Sequence, residues 1–194
     1  MAAPSVDKLM EIFENPSIPM IDGEPTYATI HAMHDLLNSN TASVTTNLGC
    51  GTLGRMCLTL SPTVYVTLST TQVSPPTNTG ETPVIPAGTT RPKAAFIRYA
   101  HDAATLAFNT FNNADRALCQ KILGAIEDTF VRVKHKQHRG YSGFSTLDLL
   151  IHLYETYVVI SNSDWLANDK RFREAYATAS SICRQATSMV TVGA

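Results

Sequence analysis

The sequence predicts a mainly α protein: a helical bundle with a small N-terminal β-hairpin and a long proline-rich loop. Three observations predict it. From Lys93 onward, apolar residues recur every three or four positions, the period of one helix face. Residues 43–60 change to β-branched flanks around a glycine-rich centre, the pattern of two strands and a turn. Between them, residues 70–92 carry five prolines, which neither a helix interior nor a central strand accepts. With 44% hydrophobic residues in 194, the chain can bury a core. Charged residues are only 16%, against about 25% in ordinary globular chains, so it is not a charged disordered tail.

Residues 1–25 read as an N-terminal segment and linker. Ser5 caps a short helix to Phe13, and Pro16, Pro19 and Pro25 then break the chain. The main domain spans residues 26–172. Thr26 caps a helix from Tyr27 to about Asn38, whose apolar face is Tyr27, Ile30, Met33 and Leu37. The hairpin covers 43–60: Ser43–Leu48 and Arg55–Leu60 flank a six-residue turn, Gly49–Gly54, whose glycines supply positive φ. This stretch lacks the order of a dinucleotide-binding glycine motif and the Lys-Ser/Thr ending of a P-loop, so it reads as a turn. Ser61-Pro62 is an N-cap followed by proline at the first helical position, opening a short helix or extended segment through Leu68. The proline-rich loop 70–92 follows.

The bundle, 93–172, has three stripes. Phe96, Tyr99, Ala103, Leu106, Ala107 and Phe111 form the first, ended by Asn112 or Asn113, which also caps the next helix. Leu118, Ile122, Ala125, Ile126, Phe130 and Val133 form the second, which runs into the cations 132–139 and stops at Gly140; cations suit a helix C-terminus. Ser145 and Asp148 make a capping-box start for the third, with Leu147, Leu150, Ile151, Tyr154 and Val158. Ser161 or Ser163 caps a shorter helix through Trp165 and Phe172. Residues 173–194 form a C-terminal helix or tail.

The net charge of −1 excludes a nucleic-acid binder that works by bulk charge, and near-neutral chains associate readily. The most apolar run, Leu147 to Ile160, is interrupted by Asp148, His152 and Glu155 and is shorter than a membrane span. No secretory signal pattern opens the sequence, so a cytoplasmic protein with reduced thiols is expected. Cys50, Cys57, Cys119 and Cys183 show no paired ligand spacing, and Cys57 and Cys119 read as apolar packing residues. His31 and His34 share a helix face but lack a third ligand, and His152 reads as a packing residue; no metal and no cofactor are expected. No nucleophile elbow or HExxH motif is present, and no catalytic residues or enzymatic activity are expected.

Four cations fall within eight residues: Arg132, Lys134, Lys136 and Arg139, with His135 and His138 between them. They read as a solvated helix end. They also qualify, with Tyr141 and Phe144 for stacking, as a patch for a phosphate backbone. The RNA-contact candidates are Arg132, Lys134, Lys136, Arg139 and Tyr141, and such a patch binds weakly and in a salt-sensitive way.

Several segments in collinear order carry a resemblance. They are Glu24–Ile30, Leu36–Asn40, Ala42–Val44, Asn47–Gly51, Leu58–Pro62 with Tyr65, Thr82–Gly88, Gly140-Tyr141, Leu149–Tyr154 with Tyr157, and Asn168-Asp169. Over residues 15–172 the chain resembles the N-terminal capsid region of Gag polyproteins of copia-type LTR retrotransposons. It departs from that pattern at Gly51–Arg55 and after Ala175, which fits a fragment, a truncated element or a domesticated gene. The resemblance implies a non-enzymatic structural protein. It would self-associate into a virus-like particle shell around element RNA, with itself as main partner, RNA as a weak one, and no membrane. On that reading 26–172 is a capsid-like domain whose hairpin and proline-rich loop contribute surface contacts. The alternative is a small RNA-binding or adaptor module using 132–139.

Overall fold

The computed structural model describes residues 2–46, 53–69 and 72–158. Of these, 59% are helical, and no strand occurs among them. Six α-helices follow in order: α1 Val6–Ile12, α2 Tyr27–Ser43, α3 Pro62–Leu68, α4 Arg91–Ala125, α5 Asp128–Val131 and α6 Thr146–Tyr157. Single 3-10 turns lie at Met56–Leu58 and Arg132–Lys134.

Four of the predicted caps hold. Ser5 Oγ accepts from Lys8 N at 3.2 Å. Thr26 and Thr29 cap each other reciprocally at the start of α2, and Ser61 Oγ accepts from Val64 N with Pro62 in the first turn of α3. At α6, Asp148 N donates to Ser145 Oγ at 3.1 Å and Ser145 N to Asp148 Oδ2 at 3.0 Å. Each pair satisfies N–H groups that have no partner inside the helix.

Among the described residues the hairpin is not found. Its first flank begins inside α2, which runs on through Ser43, and its second winds into the 3-10 turn Met56–Leu58. The end of its first flank and most of its turn, residues 47–52 together, lie outside the described residues. Tertiary contact overrode the β-branched pattern. Asn40 and Thr41 in the last turns of α2 are fully buried, and Arg55 N donates to the Thr41 carbonyl at 2.9 Å. Gly54 does sit at positive φ, +52°, and a Cβ there would come within 2.6 Å of the Thr41 and Ala42 carbonyls. So one of the three turn glycines is required both by its backbone angle and by close approach.

The first bundle stripe and the first half of the second, Leu118, Ile122 and Ala125, lie on one 35-residue helix, whereas Ile126, Phe130 and Val133 fall beyond its end and Val133 is exposed. Asn112 and Asn113 do not break α4, because asparagine inside a helix costs well under 1 kcal/mol. Asn113 donates to the Pro4 carbonyl at 2.9 Å instead of capping a new helix. Arg91 and Pro92, assigned to the loop, form the first turn of α4, where proline's missing N–H costs nothing. At the other end α4 stops at Ala125, well before Gly140. Ile126 turns extended and buried, and the Ala125 carbonyl accepts from Ile21 N at 2.7 Å. The cations 132–139 are therefore not the end of a long helix.

The core is built where α1, α2 and α6 meet the second half of α4. Leu9, Ile30, Met33, Leu37, Leu118, Ile122, Leu149, Leu150 and Leu153 are buried there, and Ala114, Ala117 and Ala125 let the helices approach closely. On α6 the inward face is Thr146, Leu149, Leu150 and Leu153, while Ile151 of the expected stripe stays 41% exposed. The N-terminal segment is part of this core. Leu9, Phe13 and Ile21 are buried, and Asn40 grips residue 15 twice, accepting from Asn15 N at 2.7 Å and donating to the Asn15 carbonyl at 3.0 Å. The helices expected after Ser161 and Ala175 lie outside the described residues. Among the described residues no helix is long and apolar enough to cross a membrane.

Candidate functional site

Residues 127–144 form a closed loop beside α6. The turn Arg132–Lys134 follows α5, and Lys136 and Gly140 then pair as an isolated antiparallel bridge, with N···O distances of 3.0 and 2.8 Å. Gly140 makes the return possible with φ of +55°. The glycine expected to stop a helix thus closes a loop.

That loop gathers part of the expected patch. Lys134 Nζ and Lys136 Nζ lie 5.7 and 5.1 Å from the centroid of the Phe144 ring, so two ammonium groups share one aromatic. Arg139 turns the chain, its carbonyl accepting from Ser142 N at 3.1 Å and from Ser142 Oγ at 2.6 Å. Arg132 lies near enough to Tyr141 for its charge to act on the phenol. Among the described residues none of the four cations makes an ion pair with a carboxylate. Exposed Glu127 and Asp128 stand just before them and offset part of their charge.

Tyr141 is engaged rather than free. Its hydroxyl donates to Asp128 Oδ1 at 2.6 Å, and the His135 ring meets it edge-on at 5.1 Å. Partial burial, and then the Asp128 carboxylate, push its pKa up to about 12. The Asp128–Tyr141 bond ties α5 to the loop, and no pattern in the sequence marked it. Phe144, under two lysines, is the more central aromatic.

The histidines separate. His31 pairs with Asp35 at 3.0 Å on the surface. His34 turns inward, Nε2 3.1 Å from the Thr59 carbonyl and Nδ1 3.1 Å from the Tyr154 hydroxyl. The carbonyl only accepts, so Nε2 carries the proton and Nδ1 accepts from Tyr154. His152 likewise bridges the Phe130 carbonyl at 3.3 Å and Thr156 Oγ1 at 3.1 Å, a packing role. Among the described residues no three of the His, Cys, Asp or Glu side chains converge to hold a metal ion. Cys119 is buried against Thr146 Oγ1 at 3.5 Å, and its thiol is pushed up to about 12, chiefly by burial. Cys57 is only partly buried.

A second surface comes from α4. Its first half, Arg91–Thr110, contributes no buried residue, and two large members of the expected stripe point to solvent: Phe96 is 69% exposed and Tyr99 73%. Thr79 in the proline-rich loop reaches this helix at Thr105, with 2.8 Å between hydroxyls. No family model, curated protein or solved structure matches the chain.

Proposed function

We propose that this chain is a non-enzymatic structural protein of the Gag capsid type, acting in the cytoplasm and self-associating into a virus-like particle shell around element RNA. The observation that carries this reading is the first half of α4, an apolar stripe whose Phe96 and Tyr99 no side chain among the described residues covers. Phe96 and Tyr99 lie one turn apart on it, with Ala95, Ala100 and Ala103 exposed beside them. Small residues beside large aromatics let a second helix approach closely and still bury area. The low charge of the chain and its collinear resemblance to copia-type Gag support the same reading. Light scattering and electron microscopy of the purified protein test it. Oligomers or particles are expected at high concentration, and replacing Phe96 and Tyr99 with Ser dissociates them. A strict monomer overturns the proposal.

The Phe144 loop favours a second reading, a small RNA-binding or adaptor module. Lys134 and Lys136 stand together with no carboxylate partner among the described residues. Replacing Arg132, Lys134, Lys136 and Arg139 with Gln abolishes low-salt RNA binding on this reading, and unchanged binding overturns it.

A further inference from the structure

Arg55 is 5% exposed, and among the described residues no acceptor reaches its Nε or Nη1. Arginine retains its proton at any ordinary pH, so it does not escape burial by becoming neutral. A buried charge without a counter-ion is strongly unfavourable. Its only described support is the Phe111 ring, whose centroid lies 5.9 Å from Cζ. Asp115 on α4, whose charge reaches Cys57, is committed elsewhere: its Oδ1 accepts from Thr146 N at 2.9 Å and its carbonyl from Thr146 Oγ1 at 3.0 Å. Neither a hydrogen bond nor an ion pair joins it to Arg55.

The same Phe111 ring lines a cavity of about 200 Å³, together with Cys57, Leu60, Tyr65, Val73 and Leu147. An apolar cavity of about 150 Å³ already takes up a benzene ring. Cys57, two residues from Arg55, is close enough for the two groups to act on each other electrostatically. Arg55 is not itself among the lining residues; it lies on the Phe111 ring that forms one wall, so a cation with no anion among the described residues stands beside that wall. Neither feature follows from the capsid-type reading.

We propose that this cavity binds a small apolar acid, the hydrocarbon body lying against Leu60, Leu147 and Phe111 and the carboxylate reaching past the edge of the Phe111 ring to Arg55. The acid supplies the acceptor that Arg55 lacks among the described residues, and the apolar walls select against small inorganic anions.

Phenylacetate and its neutral analogue 2-phenylethanol are the probes, tested on the full chain. Iodoacetamide labelling of Cys57, read by peptide mass spectrometry, reports occupancy, with Cys119 as internal control for a general change in stability. Labelling of Cys57 slows by 1 + [L]/Kd, about ten-fold when phenylacetate is at ten times its Kd. The alcohol protects at least about ten-fold more weakly, and Arg55→Met abolishes the difference between the two. Equal protection by acid and alcohol, no protection by the acid, or undiminished acid binding in Arg55→Met overturns the proposal. Should Arg55→Met fail to fold by circular dichroism, the acid-against-alcohol comparison on the unaltered chain decides alone.

Discussion

At the scale of single residues, the polar groups inside the fold do the specifying. Asn40 holds both backbone groups of Asn15 and so docks the N-terminal segment onto α2. His34 holds the Thr59 carbonyl and the Tyr154 hydroxyl, joining α2 to the turn before α3 and to α6. Both roles were invisible in the sequence, because a buried asparagine and an exposed one look alike until their partners are placed. His34 also predicts a pH dependence. Burial lowers its pKa, against the Thr59 bond and the Asp35 charge, which raise it. The unfolded chain then binds a proton more readily than the folded one. Stability from this residue is full above the free-histidine value of about 6.5 and is lost as pH falls through the lower folded value. Urea midpoints measured from pH 7.5 to 5 should fall more steeply for the unaltered protein than for His34→Gln. Parallel curves would remove His34 as a cause.

At the scale of elements, starts were more legible than ends. Ser5, Thr26, Ser61 and Ser145 each open the helix that the sequence assigns to them, because a cap is a local interaction between residues three apart. Ends depend on what the next residues meet. Asn112 and Asn113 look like a break but lie within α4, and α4 stops where Ile126 turns into the core. The periodicity located apolar faces without saying which part of a face is covered. Leu118 and Ile122 are buried, whereas Phe96 and Tyr99 on the same helix are not. The capping box at α6 gives a prediction at this scale. Ser145→Ala removes the oxygen that accepts from Asp148 N and should cost about 1 kcal/mol, read as a lower urea midpoint with an unchanged m-value. An unchanged midpoint would show that the Asp115–Thr146 bond alone holds the start of this helix.

For the whole molecule, the main revision concerns residues 1–25. Their prolines mark a linker, yet Leu9, Phe13 and Ile21 are core residues, and Lys121 donates to the Pro16 carbonyl. Three buried side chains at about 1.5–3 kcal/mol each approach the total stability of an ordinary domain. A chain lacking residues 2–25 should therefore lose cooperative unfolding, measured by circular dichroism in urea. A deletion variant that unfolds at the same midpoint would return this segment to the status of a linker. The expected RNA patch is revised at the same scale. Lys134 and Lys136 meet on Phe144, while Tyr141, chosen as a stacking residue, is held by Asp128 and His135.

Helical class, the four capped helix starts and the inward Ile30, Met33 and Leu37 of α2 were determined by the sequence alone, because propensity, capping and period act over one or two turns; Tyr27, assigned to the same face, is 57% exposed. The tertiary structure decided the rest. It joined the first stripe and half of the second in one helix, brought a proline-broken segment into the core, and turned a predicted strand into a 3-10 turn against α2. It also placed Arg55 in the interior beside a cavity. These outcomes depend on contacts between residues far apart in the chain, such as Asn40 with Asn15, Asn113 with Pro4 and Arg55 with Phe111. Packing energy from such contacts exceeds the few tenths of a kilocalorie by which local preferences differ.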